Sequence, residues 1–266
     1  MKKIIYVLAF AAMMGGCDRN RGTVLRMETS LGDIRLRLYD ETVVHRENML
    51  KLVREGYYNG MLFHRVIQDF MIQAGDPNSK TARTGMLLGD KDAGYTLKAE
   101  IEPGYFHKRG VLAAARESDE VNPERCSSGS HFYIVKGKVY TPEELAATVD
   151  KINNRRYTAL FGRLKQAREG EIAKYQLVND YDALMRINGE LSEAAREQFE
   201  AVKLVLSEEQ VKAYTTVGGT PHLDGEYTVF GEVVEGLEVL DRISAEPTDE
   251  NNRPLKDVVI RKVAVE

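Results

Sequence analysis

Residues 63–76 read FHRVIQDFMIQAGD, a segment that places one guanidinium (Arg65) and one amide (Gln73) among bulky apolar side chains (Phe63, Phe70, Met71). Short apolar runs bounded by Gly, Asp or Ser are the mark of buried strands, and 62–76, 110–115 and 130–136 all have it. The chemistry offered is narrow. No nucleophile stands beside a base, the five histidines are scattered without metal-ligand spacing, and no glycine-rich phosphate loop precedes a helix. A strand pair with one strong fixed donor beside an apolar pocket suits a reaction that breaks no covalent bond. No cofactor and no metal are expected.

Upstream, apolar positions alternate at Leu25, Met27 and Thr29 and again at Ile34, Leu36 and Leu38, with Arg26, Glu28, Arg35 and Arg37 on the other face. Period-two alternation on both sides of Ser30, Leu31 and Gly32 predicts a hairpin with one wet face. From Thr42 to Glu55 the spacing becomes helical (Val43, Met49, Leu50, Val53), closed by Gly56 as a C-terminal stop. Downstream, 227–235 and 257–265 read as strands around a helical segment from Leu237 to Ser244. Many short strands with few helices fit either a closed antiparallel barrel or a sandwich.

Residues 137–217 differ in character. Thr141, Pro142 and Glu144 form a capping box with proline at the first helical position, followed by Leu145, Val149, Ile152, Leu160 and Leu164 at helical spacing. A second helix is expected through Tyr175, Val178, Tyr181, Leu184 and Ile187, ending before Gly189. A third is expected through Ala195, Phe199, Val202 and Leu206, and Ser207 with Gln210 opens a fourth. This is an all-helical module inside a β domain, and its apolar stripes must pack on one another or on the sheet.

The chain's 266 residues, 43% of them hydrophobic and 29% charged, suffice for one substantial core and a smaller second one. A net charge of -4 supplies no basic surface for nucleic acid, which is excluded as a partner. At the N-terminus, Lys2 and Lys3 precede an apolar run from Ile4 to Met14, shorter than the roughly 20 residues of a membrane-crossing helix. This has the layout of a signal peptide. Gly15, Gly16 and Cys17 resemble the bacterial lipobox, with Met14 in place of the usual leucine. The expectation is a signal peptide over 1–16, a lipidated Cys17 with a tether over 17–22, and a cell-envelope protein anchored in a bacterial membrane. Cys126 is then left without a disulfide partner.

Phe63 to Ile67, Asp69 to Gln73, Gly75 and Asp76 resemble the central signature of the cyclophilins. EGYYNG at 55–60, with Glu47 and Asn48 before it, is similar to the family's first helix and following loop. SGSHFYIV at 128–135 and LDGEYTVFGEV at 223–233 resemble two of its later strands. The resemblance implies a mainly β fold: an eight-stranded antiparallel closed β-barrel capped by two helices, built from 23–136 and 218–266, with 137–217 as an all-helical insertion. It implies peptidyl-prolyl cis-trans isomerase activity on proline-containing polypeptide clients. Arg65 corresponds to the family's catalytic arginine, which donates to the prolyl nitrogen, and Gln73 to the residue that orients it. Phe70, Met71, Tyr133 and Leu223 fall where the family builds its proline pocket, Ala115 and Arg116 where it receives the preceding residue, and His222 and Tyr227 on the rim. Three positions depart from the pattern: Tyr133 for the usual phenylalanine, His222 for tryptophan and Tyr227 for histidine. His131 also replaces a glutamine near the groove.

Overall fold

The computed structural model describes residues 22–266, so Cys17 and the expected signal peptide lie outside the described residues. The first hairpin joins β1 (Val24–Thr29) to β2 (Gly32–Leu38) in the register Met27–Ile34 and Leu25–Leu36. Thr29 closes its turn, the hydroxyl donating to the Gly32 carbonyl at 2.6 Å and accepting from the Leu31 amide. Helix α1 (Val43–Arg54) follows, with Leu50, Leu52 and Val53 buried. Its first amides are satisfied from far away in sequence: the Glu100 carboxylate accepts from the Val44 and His45 N–H groups at 3.0 and 2.9 Å. An anion there also suits the helix dipole.

The segment 62–76 is not one strand but a tight hairpin, β3 (Arg65–Ile67) and β4 (Met71–Ala74). Asp69 takes the left-handed conformation (φ 59°) between them, and the Phe70 amide donates to the Ile67 carbonyl. The residues ending the motif have local reasons. Gly75 (φ 117°) lies so close to the chain at Ser130 that a Cβ would sit 2.2 Å from the Ser130 carbonyl oxygen. Asp76 caps the 3-10 turn Pro77–Thr81 through the Asn78 amide and ties down a distant loop through the Gly89 amide at 2.6 Å.

The next strands are β5 (Thr96–Leu97), β6 (Val111–Ala114), β7 (Ser127–Ser128) and β8 (Phe132–Val135). Four helices come next: α2 (Pro142–Ala167), α3 (Glu169–Leu177), α4 (Tyr181–Phe199) and α5 (Glu208–Thr216). After a 3-10 turn at Pro221–Leu223 the chain forms β9 (Val229–Glu235), α6 (Leu237–Ser244) and β10 (Ile260–Val265). Eight strands make one antiparallel sheet in the order β10-β1-β2-β9-β6-β8-β4-β3, while β5 and β7 pair separately. The main core fills the concave side, where Ile34, Leu36, Ile72, Leu112, Ile134 and Ile260 are inaccessible to solvent. Helix α1 packs against β10, and α6 packs against β2, β3 and β4.

The expected closed barrel is corrected here to a curled half-barrel. No strand ladder joins β3 to β10. The gap is spanned by an isolated bridge between Leu62 and Val259, with single backbone bonds such as Phe63 N–H to the Val258 carbonyl (2.9 Å). The cause is local: β3 is three residues long, and the chain facing it is a turn with Asn252 left-handed (φ 63°), so backbone groups pair singly.

Both capping boxes form, Thr141 with Glu144 and Ser207 with Gln210. The middle boundaries differ from those expected. Val178 and Val202 lie outside helices, and Gly189 lies within α4. Asn179 breaks the chain at φ 52°, and the Asp180 carboxylate starts α4 by accepting from the Ala183 amide at 3.0 Å. A mid-helix glycine costs about 1 kcal/mol, which burial of Ile187 and Leu191 offsets where α4 packs on α2. The helices meet the loops beside β6 and β8 through a small cluster of Phe106, Tyr140, Leu145 and Tyr214. Among the described residues no helix is long and apolar enough to cross a membrane.

Candidate active site

Strand alternation sends every second side chain to the convex face, and four strands align a row there. Arg65 of β3 pairs with Gln73 of β4, Gln73 with Tyr133 of β8, and Tyr133 with Ala113 of β6. The next row joins Ile67, Met71 and Val135. The result is a second apolar cluster outside the main core, in which Met71, Tyr133 and Leu223 are buried and Phe70, Ala115 and Tyr227 are half-buried. The 3-10 turn Pro221–Leu223 brings up the far wall, with the His222 ring against Phe70 at 5.3 Å. Tyr227 stands edge-on to Tyr133 at 5.9 Å.

Arg65 projects over this apolar floor. Its Nη1 donates to Gln73 Oε1 at 3.2 Å, and among the described residues no carboxylate lies within ion-pair distance. Burial without a counter-ion pushes its pKa down from the ordinary value, yet a guanidinium starts so high that it keeps its proton. A half-buried cation with free donor groups is thereby held beside an apolar pocket, an arrangement able to favour a lone pair developing on a bound ligand.

Beside this floor runs a groove of about 610 Å³ bordered by Gln73, Ala115, Arg116, Asn122, Cys126 and His131. The backbone of Ala115 is already used, its N–H donating to the His131 carbonyl and its carbonyl accepting from Ser128. Arg116 is committed as well. Its guanidinium pairs with Asp119 at 2.7 Å, donates to the Glu226 carbonyl at 2.9 Å and lies 4.7 Å above the Tyr227 ring, so it fixes that aromatic wall. His131 donates through Nε2 to the Lys91 carbonyl at 2.7 Å. Burial, with the nearby Arg155 charge second, pulls His222 down to about 4, leaving it a neutral ring at physiological pH.

The sequence model described as cyclophilin type peptidyl-prolyl cis-trans isomerase/CLD matches residues 24–174 and 208–265. The chain belongs to the cyclophilin-type isomerase family. Related proteins of Staphylococcus saprophyticus (28% identical over 242 residues, 91% of this chain and 90% of the relative) and Staphylococcus aureus (29% over 241 residues, 90% of each) carry the provisional name peptidyl-prolyl cis-trans isomerase. The fold is similar to a crystal structure of a cyclophilin type isomerase of Cryptosporidium parvum, with TM-score 0.54 and 19% identity, covering 92% of this chain and 98% of that one. A second structure of that protein, determined in the presence of the dipeptide Ala-Pro, matches with TM-score 0.52 and 20% identity over 91% of this chain and 98% of that one.

In this cyclophilin-type chain the residues expected at the pocket (Phe70, Met71, Tyr133 and Leu223) fall in one cluster, with Arg65 and Gln73 on its row and His222 and Tyr227 on its wall. His107 and Asp224 are not among the site residues that the sequence points to. Both are buried directly beneath Tyr133, with His107 Nε2 at 3.0 Å from the Tyr133 hydroxyl and Nδ1 at 3.0 Å from Asp224. His107 was one of five scattered histidines, and the only hint in the sequence was Asp224 within the LDGEYTVFGEV match.

Proposed function

We propose that the chain isomerises X-Pro bonds of exported polypeptides and so assists their folding outside the cytoplasm, held at a bacterial membrane by a lipid on Cys17. The observation that carries the catalytic part is Arg65, half-buried, free of any carboxylate among the described residues and 3.2 Å from Gln73 above an apolar cluster. Rotation about a prolyl amide is slow because resonance gives the C–N bond double-bond character, a barrier of about 18 to 20 kcal/mol. As the bond twists, the nitrogen pyramidalises and regains a lone pair. The Arg65 guanidinium donates to that nitrogen and stabilises the twisted state over either planar isomer. Gln73 holds the guanidinium in place, while Phe70, Met71, Tyr133 and Leu223 take the pyrrolidine ring. The groove beside Ala115 and Arg116 takes the preceding residues, with His222 and Tyr227 closing the rim.

The export part rests on the sequence from Lys2 to Cys17. A second role, holding unfolded clients, is favoured by exposed apolar side chains at the junction of α3 and α4 (Leu177, Val178, Tyr181 and Met185). The test is an X-Pro tetrapeptide isomerisation assay together with refolding of an exported protein whose slow phase is proline-limited. Acceleration of both is expected. Peptide turnover no faster than the uncatalysed scale of roughly tens to hundreds of seconds refutes the activity. Turnover without any effect on refolding refutes the folding role.

A further inference from the structure

The pocket floor is polar at its deepest point. Tyr133 places a phenol hydroxyl beneath the apolar cluster, where burial raises its pKa well above the ordinary value and keeps it protonated. A buried hydroxyl needs a partner, and His107 Nε2 supplies one at 3.0 Å, its ring nearly parallel to Tyr133 (12°). The Asp224 carboxylate accepts, so Nδ1 of His107 carries a proton toward it, and Nε2 faces the Tyr133 hydroxyl. Asp224 also accepts from the His107 backbone N–H at 2.8 Å.

The other carboxylate oxygen faces the helices. The Tyr214 hydroxyl of α5 donates to Oδ2 at 2.6 Å and the Gln210 amide at 3.2 Å. Arg156 of α2 holds the same loop, donating to the Asp224 carbonyl at 2.8 Å and pairing with Glu226 at 2.9 Å. His107, Asp224 and Tyr214 are all at most 4% exposed. An unbroken chain of hydrogen bonds thus runs from α5 to the pocket floor.

We infer that Asp224 is a positioning residue through which the helical segment sets the proline pocket: Tyr214 fixes Asp224, Asp224 fixes the His107 tautomer and ring, and His107 fixes the Tyr133 ring against which proline packs. This rests on the isomerase reading of the site and assigns the helices a part in substrate affinity. Neither Asp224 nor Tyr214 touches the Arg65–Gln73 pair, so loss of the chain weakens ground-state binding and spares the chemical step.

The test measures kcat and KM for an X-Pro tetrapeptide, and the melting midpoint, in wild type, Tyr214→Phe and Asp224→Asn, each with and without Tyr133→Phe. Tyr214→Phe removes one hydroxyl and keeps its ring packing. It is expected to raise KM about fivefold with kcat within about twofold of wild type, roughly the loss of one hydrogen bond; Asp224→Asn is expected to act in the same direction. In the Tyr133→Phe background both keep their effect on the melting midpoint and lose most of their effect on KM. An equal KM effect in both backgrounds, or no KM effect in a folded Tyr214→Phe protein, overturns the inference. If Asp224→Asn does not fold, the Tyr214→Phe cycle decides alone. An inactive wild type counts against the isomerase reading, whereas an active wild type without this coupling counts against the positioning role only.

Discussion

His64, the second residue of FHRVIQDFMIQAGD, makes the fold sensitive to acid in a way that can be worked out from its surroundings. It is 3% exposed, and neither ring nitrogen has a hydrogen-bond partner among the described residues. Burial, with the His131 ring 5.3 Å away as the second cause, pulls its pKa from 6.5 down to about 4. The unfolded chain therefore binds a proton below pH 6.5 that the native state refuses. Stability from this group is complete above the unfolded pKa and is lost as pH falls toward the folded one. With about 1.36 kcal/mol per pKa unit, the loss from neutral pH reaches about 1 kcal/mol at pH 5.5 and about 2 kcal/mol at pH 4.5. The assay is urea unfolding at those pH values for wild type and His64→Leu, a side chain of similar bulk with no polar atoms. Burial of Glu100, Asp119 and Asp241 is outweighed by hydrogen bonds, joined at the two aspartates by nearby cations, so their pKa values are lowered and they also weaken the fold in acid, but they do so in both proteins. The stability difference between the two proteins should therefore shift by about 2 kcal/mol between neutral pH and pH 4.5. A difference constant to within about 0.5 kcal/mol over that range would show that His64 titrates normally in the native state.

Two further outcomes follow from the pocket. Met71 is 1% exposed and Phe70 is half-buried, so Met71→Ala should cost about 2 to 4 kcal/mol in chemical unfolding. Phe70→Ala should cost less than half as much and act mainly by raising KM about tenfold; the reverse ranking in stability would move Phe70 into the core. Because Arg65 keeps its charge and His222 stays neutral down to about 4, kcat/KM for an X-Pro peptide should be flat to about twofold between about pH 5.5 and about pH 8.5. A bell-shaped profile there would require a titrating catalytic group.

The segment from Phe63 to Asp76 was legible through its resemblance to the cyclophilin signature, and the family it pointed to is the one the sequence model matches. Gly75 and Asp76 then proved to have steric and hydrogen-bonding causes. The hairpin of β1 and β2 was legible because one face is wet and alternation shows only when one face is. The row from Arg65 through Gln73 and Tyr133 to Ala113 was not legible, since it depends on register between strands about 20 to 60 residues apart. The anchoring of α1 was hidden for the same reason, its amides being satisfied by Glu100 rather than by the preceding Thr42. Gly189 misled because glycine at a helix end and glycine tolerated inside a packed helix look alike in sequence. The buried link from Tyr133 to Tyr214 joins four separate segments, and no local pattern announces such a network.

The proposed role of Arg65 is to lower the rotation barrier while contributing little to the fold. The direct measurement is the isomerisation rate and peptide affinity, by exchange spectroscopy on an X-Pro tetrapeptide, for wild type, Arg65→Lys and Arg65→Ala, beside their unfolding free energies. A charge-assisted hydrogen bond of about 1.5 to 3 kcal/mol made only in the twisted state predicts a 10- to 150-fold fall in kcat for Arg65→Ala. Arg65→Lys should recover little, because a lysine lacks the planar fork that Gln73 holds. Stability should change by less than about 1 kcal/mol, since Arg65 loses only a neutral partner and sheds an unpaired, half-buried charge. An Arg65→Ala protein that is folded, binds the peptide and turns it over at half the wild-type rate or more would contradict the account.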